Sequence, residues 1–279
     1  MAIPLAVPAY FDALISGYRG GHVGRDVHLG WWNRPPSAAE LAQPQAFEAA
    51  QRRLVGQVLS LADLQDGLRV LDIGCGFGGT AEALNQAWHS LDVWGLNVDI
   101  RQLAICRVLS AQDGNRLHWV QADACALPLP DASVDRVLCI EAMFHFGSRR
   151  QFFSEAARVL RHGGVLAVSD IVPRRSPPGA MVSPSDATAA AAVLGSFGPW
   201  PDFWGFDADH DALASAVGLR LTHCTDATEA TLPSHHYTAT ALAPGQDPFA
   251  LAAWALAALH RGGRLSYPLM RFEKPRISG

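Results

Sequence analysis

The chain has no CxxC pair, no histidines at metal-ligand spacing, no basic tail and no apolar run long enough to cross a membrane. Each absence removes a class of protein. The five cysteines, Cys75, Cys106, Cys125, Cys139 and Cys224, are odd in number, and most lie in apolar runs where a thiol packs as a small hydrophobe. A disulfide scaffold is therefore not expected, and reduced cytoplasm is the expected compartment. His235 and His236 are adjacent, so they point to different faces of a helix and lack the i, i+4 spacing of metal ligands; no metal is expected. A formal net charge of -4 removes any general attraction to nucleic acid or to an anionic membrane. The start, Met1-Ala2-Ile3-Pro4-Leu5, lacks the basic region and long apolar core of a secretory signal, and the apolar run 249–259 stops at His260-Arg261, too short to span. With 279 residues and 49% hydrophobic content the chain can bury one domain's core plus a small cap, as a monomer or homodimer.

What is present is concentrated in Val70-Leu71-Asp72-Ile73-Gly74-Cys75-Gly76-Phe77-Gly78-Gly79-Thr80. A strand that turns at once into a helix, while letting a ligand approach its backbone, needs residues without Cβ, and Gly74, Gly76 and Gly78 supply them. Gly74, Gly76 and Gly79 also satisfy the dinucleotide GxGxxG pattern, so glycine spacing leaves two cofactor classes open. Asp72 separates them. A carboxylate beside that turn repels a pyrophosphate and attracts a ligand carrying an ammonium and a sulfonium, such as S-adenosylmethionine (SAM).

Strand and helix patterns alternate around this loop. Strands are expected at 69–73, 91–97, 117–121, 134–140 and 165–170, and helices at 79–88, 101–112 and 149–160, the last ended by Arg161-His162-Gly163-Gly164. Strands six and seven are expected at 219–225 and 264–273, joined by helical segments including 247–260. The pattern is that of an α/β, Rossmann-like, doubly wound sheet of seven mostly parallel strands. Ligands in such sheets sit beyond the carboxyl ends of the strands. There, Asn97 is the first choice and Asp99 the second for the ribose hydroxyls of an adenosine, Asp99 having a second reading as a helix cap. Asp123 can accept from an adenine amino group, with the backbone N–H of Ala124 facing the ring.

The ordered segments LDIGCGFGG, GLNVDIRQL, QADACALPLPDASVDRVLCIEAMFHF and ARVLRHGGVLAVSD, covering about 68–172, resemble a class I SAM-dependent methyltransferase. Tyr10 and His28-Leu29-Gly30-Trp31-Trp32 resemble the HxGxW region of tocopherol and sterol C-methyltransferases and of related natural-product (macrolide-type) O-methyltransferases. The resemblance implies SAM as cofactor, held by Asp72, Gly74, Cys75, Gly76, Gly78, Asn97, Gln102, Asp123, Ala124 and Ile140. It departs from the class at Asn97, where an acid is usual.

Methyl transfer is an in-line displacement at an activated carbon, so a protein supplies positioning, water exclusion and proton removal. For a hydroxyl acceptor, His145 just past strand four is the expected base, with Asp170 orienting its imidazole or binding the acceptor; packing between Phe144 and Phe146 is its other reading. Such a His and Asp resemble the base pair of sugar O-methyltransferases. Ile140-Glu141-Ala142 resembles the segment by which sterol and isoprenoid enzymes stabilise a carbocation, so C-methylation would shift the weight to Glu141. An NAD-linked oxidoreductase and a SAM-binding module without catalysis are the readings from other classes.

The remaining expectations concern the acceptor. Residues 1–60 are expected to form an N-terminal cap, and 61–279 the SAM-binding domain with a lid at 173–206, rich in Pro, Ala, Gly and Ser and then in Phe197, Trp200, Phe203, Trp204 and Phe206. Acceptor contacts are expected from Tyr10, His28, Trp31, Phe144, Trp200 and Trp204. A permanently packed aromatic patch is the other reading of the lid.

Overall fold

A computed structural model describes residues 7–174, 183–201, 210–241 and 248–276. Three helices, α1 (Phe11–Arg19), α2 (Ala38–Leu41) and α3 (Pro44–Leu61), precede the alternating body. That body runs β1 (Arg69–Ile73), α4 (Gly79–Ala87), β2 (Asp92–Asn97), α5 (Ile100–Cys106), β3 (Arg116–Gln121), β4 (Val134–Ile140), a short 3₁₀ turn at Met143–His145, α6 (Arg149–Val159) and β5 (Leu160–Ser169). Then come β6 (Val172–Pro173), α7 (Pro184–Phe197), α8 (His210–Ser215), β7 (Arg220–Asp226), α9 (Thr228–Thr231), α10 (Ser234–Ala241), α11 (Pro248–Arg261), β8 (Leu265–Ser266) and β9 (Pro268–Glu273).

The large sheet has the order β3-β2-β1-β4-β5-β9-β7, with β9 antiparallel to both neighbours and the other six strands running in one direction. This is the seven-stranded, mostly parallel sheet expected from the sequence. Side chains alternate across it: Val70, Leu138, Ile140 and Ala167 face the layer of α3, α4 and α11, whereas Leu71, Ile73, Val137 and Cys139 face α6 and α8. Each fully buried Leu, Ile or Phe in these layers contributes roughly 1.5–3 kcal/mol. The order reverses between β1 and β4, so their carboxyl ends splay apart and leave a crevice.

Four boundaries differ from expectation. The helix after β2 stops at Cys106, not 112, because Asn85 holds the next turn, accepting from the backbone of Gln112 and donating to the Ser110 carbonyl. The helix before β5 passes directly into the strand at Leu160, where Gly163 adopts φ +80° and bonds the Lys274 carbonyl. The expected strand 264–273 breaks at Tyr267, whose N–H leaves the ladder for Thr228 Oγ1. Within the expected lid, 184–197 is a helix packed on α11, and Phe197 stacks on Phe249. Trp200 is buried with the main core, while Phe203, Trp204 and Phe206 lie outside the described residues.

Candidate active site

The crevice opens into a cavity of about 420 Å³, lined from below by the ends of β1, β2, β3 and β4 and from above by residues 8–14, 25–28, 145–147 and 199–201. The glycine turn shapes its floor. Gly74 has φ +74°, and a Cβ there would collide with Ala142; Gly78, at φ +85°, starts α4 in the left-handed conformation. Gly74, Cys75 and Gly76 line the cavity, whereas Gly78 turns the chain behind it.

Asp72 is buried on this floor, its Oδ2 has no hydrogen-bond partner, and burial pushes its carboxyl up to about 7, against the pull of His28. An unpaired buried acid is costly, and a cationic ligand group removes that cost. Further along, Asn97 uses both ends of its amide inside the protein: its oxygen accepts from the Asp99 N–H and its nitrogen donates to Gln102 Oε1 (3.0 Å). The orphaned donor is Gln102 Nε2, buried at the cavity wall. Asp99 caps α5 and pairs with Arg101, the cap reading rather than the ribose one. Asp123, Ala124 and Ile140 line the cavity, and Asp123 also accepts from the Cys125 N–H. An acid, two amides and a glycine cradle around orphaned polar atoms fit the amino-acid and ribose ends of SAM.

His145 stands on the opposite wall. Its Nε2 lies 2.8 Å from the Tyr10 hydroxyl and its Nδ1 3.4 Å from the Pro199 carbonyl. The carbonyl fixes the proton on Nδ1, which leaves the Nε2 lone pair to accept from Tyr10. Burial lowers the imidazole to about 4, so it is uncharged at neutral pH and its Nε2 carries a lone pair rather than a proton. Asp170 does not hydrogen-bond it: its carboxylate is wholly buried, 3.0 Å from both Arg149 and His210.

Glu141, directly after β4, has φ +50°, rare for a residue with a side chain, and such strain persists only where the surroundings over-determine it. Its N–H bonds Ser169, and its Oε2 accepts from the Leu29 N–H (2.9 Å) and the Tyr267 hydroxyl (2.7 Å). Burial raises its carboxyl above the ordinary range, opposed by His28 and these donors. Glu141 and Tyr10 line both the main cavity and a second one of about 90 Å³, walled by Leu29, Phe144, Phe197, Trp200 and Leu256.

Of the expected acceptor contacts, Tyr10 and His28 line the first cavity, and Phe144 and Trp200 the second. Trp31 lines neither; its indole N–H bonds Asn33, and its ring packs on the core beside α3. Trp204 lies outside the described residues. Sequence reasoning missed Asp26, Phe11 and Tyr267. Asp26 stood two positions before a residue already singled out; Tyr267 carried no local signal. His235 bonds His260 (2.7 Å) inside the protein, away from both cavities. Among the described residues no group of three or more His, Cys, Asp or Glu could hold a metal ion, and no helix is long and apolar enough to cross a membrane.

Comparison with known proteins agrees with this geometry. A methyltransferase-domain family model matches residues 71–168. Methyltransferase GfsG of Streptomyces halstedii is 36% identical over 75% of this chain and 71% of its own length. The 27-O-demethylrifamycin SV methyltransferase of Amycolatopsis mediterranei (strain S699) is 35% identical over 56% of this chain, which matches about half of that enzyme, 55%. Among solved structures, mycolic acid cyclopropane synthase CmaA1, complexed with SAH and CTAB, superposes with a TM-score of 0.76 over 96% of this chain and 99% of its own. At 19% identity that likeness speaks for the fold alone.

Proposed function

The chain belongs to the class I SAM-dependent methyltransferases, enzymes of small-molecule methylation, and on that premise we propose that it methylates a hydroxyl oxygen of an apolar, natural-product-like acceptor. The observation that carries the reading is His145: a neutral imidazole whose unprotonated nitrogen faces the hydroxyl of Tyr10, a residue that lines both cavities. Bound SAM supplies a methyl carbon already activated by its sulfonium. Asp72 and the glycine turn hold the cofactor's amino-acid end, and Gln102, Asp123 and Ala124 its nucleoside.

The acceptor's apolar body rests against Phe144, Trp200 and Leu256, which directs its hydroxyl past Tyr10 toward His145 Nε2. As the acceptor oxygen takes the methyl group, the carbon–sulfur bond would break with its electron pair returning to sulfur, and the hydroxyl proton would pass to that nitrogen. The buried aromatic walls keep water out.

A second reading, C-methylation, draws on Glu141, which faces both cavities. Against it, Glu141 Oε2 already accepts two hydrogen bonds, and burial favours its neutral form, a poor partner for a carbocation. The proposal extends to a monomer or homodimer acting in the cytoplasm without nucleic acid, a reading supported by the net charge of -4 and by Cys75, Cys106 and Cys139 packing as buried thiols.

The test is transfer of labelled methyl from SAM into an extract of the source cells. The expected product is a methyl ether, and His145→Ala loses at least about 100-fold in rate while SAM affinity by calorimetry is little changed. A carbon-bound methyl, formed at full rate by His145→Ala, overturns the reading.

A further inference from the structure

The stretch 25–29 is fastened over the glycine turn by backbone and side-chain bonds at each step. Arg25 Nη1 donates to the Phe77 carbonyl (2.8 Å), Gln51 Nε2 donates to the carbonyls of both Asp26 (2.7 Å) and His28 (2.8 Å), and the Leu29 N–H donates to Glu141. The fastening sets two side chains of opposite character on the cavity wall facing Asp72. His28 is only 9% exposed, and its Nε2 has no hydrogen-bond partner; Asp26 Oδ1 lies 3.6 Å away, within ion-pair range but beyond a hydrogen bond. Asp26 also sits against Gly79, where a Cβ would collide with its carboxylate, so the glycine is what admits the acid to the cofactor loop.

The proton positions follow from the partners. His28 Nδ1 is 2.7 Å from the Leu29 carbonyl and must donate to it. Nε2 therefore carries a hydrogen only in the charged ring. Burial alone would discharge the imidazole, but Asp26, Glu141 and the Leu29 carbonyl outweigh it and raise its basicity above the ordinary value. The wall thus offers one N–H donor beside one carboxylate.

We propose that His28 and Asp26 form a clamp for the amino-acid end of SAM, His28 Nε2–H receiving the α-carboxylate and Asp26 the α-ammonium, opposite Asp72. The chemistry is that of a zwitterion read by a complementary pair, and adjacent charge-assisted hydrogen bonds are the strong ones. Neither residue acts on the methyl group; both fix where it lies. The clamp rests on SAM as cofactor and is independent of whether oxygen or carbon is methylated.

Calorimetric titration with SAM and with decarboxylated SAM, which keeps the sulfonium and the amine but lacks the carboxylate, tests it on the full chain. Wild type is expected to bind SAM about 10- to 100-fold more tightly than the decarboxylated compound, the range of one charge-assisted hydrogen bond. His28→Ala should bind the two alike, while His28→Gln, which retains an N–H donor, recovers part of the preference. Asp26→Asn should weaken both ligands by the same factor. Equal binding of the two ligands by wild type, or an equal loss for both in His28→Ala, overturns the clamp. If SAM does not bind wild type at all, the cofactor assignment fails instead, a result distinguishable from either.

Discussion

Replacing Asp72 by asparagine keeps the shape of the cavity floor and removes only the charge, so it separates what the acid costs the empty fold from what it contributes to the cofactor. Burial raises this carboxyl from 3.8 to about 7. Between those values the folded protein keeps a proton that the unfolded chain has released, so stability falls with rising pH and levels off above about 7. From pH 5 to pH 8 the loss amounts to roughly 3 kcal/mol, at about 1.4 kcal/mol per unit over the first two units. The asparagine variant lacks this term, and every other titrating group is common to both proteins. Urea unfolding of the two without cofactor should therefore give a difference, variant minus wild type, that grows by about 3 kcal/mol across that interval. Saturating SAM should reverse the order, because its ammonium holds the wild-type carboxyl ionised and paired, and the variant should bind SAM about 10- to 100-fold more weakly. Parallel stability curves from pH 5 to pH 8, together with unchanged SAM affinity, would refute the argument that an unpaired acid waits at this position for a cation.

Arg149→Leu leaves the wholly buried Asp170 carboxylate with only His210 and the Ile171 N–H, and unfolding should become easier by about 3–5 kcal/mol with SAM affinity unaltered; a cost under about 1 kcal/mol would mean the pair is not structural. With His145 lowered to about 4 by burial, the transfer rate under saturating SAM should be flat through pH 6–8 and fall only as the solution approaches the acid limit of that ring. An inflection near 6.5 would place His145 in water.

How far the sequence announced this molecule depends on the range over which each feature is determined. The glycine turn, the alternation of strands and helices and the acid Asp72 are local, since φ preference, period-2 burial and one side chain's charge act within a few residues. They were legible, and the cavity floor is built where they place it. The walls are not local. Tyr10 reaches His145 across 135 positions, Tyr267 reaches Glu141 across 126 and Leu29 reaches it across 112. No periodicity encodes those meetings; they follow from the β9 register and from how α1 and residues 25–29 lie over the sheet.

The same distinction explains the reassigned residues. Asn97 and Asp170 were read correctly as polar groups at strand ends, but a strand end offers two directions. Whether a side chain faces the crevice or a partner depends on what the rest of the chain brings beside it. For Asp170 that partner is a cation, Arg149, 21 positions upstream on α6, joined by His210 from beyond β5, and together they withdraw the carboxylate from the site. For Asn97 it is Gln102, five positions on, which takes one end of the amide and passes its own unsatisfied N–H to the cavity. At the Asn97 position the unpartnered amide donor is thus presented to the cavity by Gln102, whereas the Asp170 carboxylate is turned to the interior, leaving His145 oriented by Tyr10 and the Pro199 carbonyl instead.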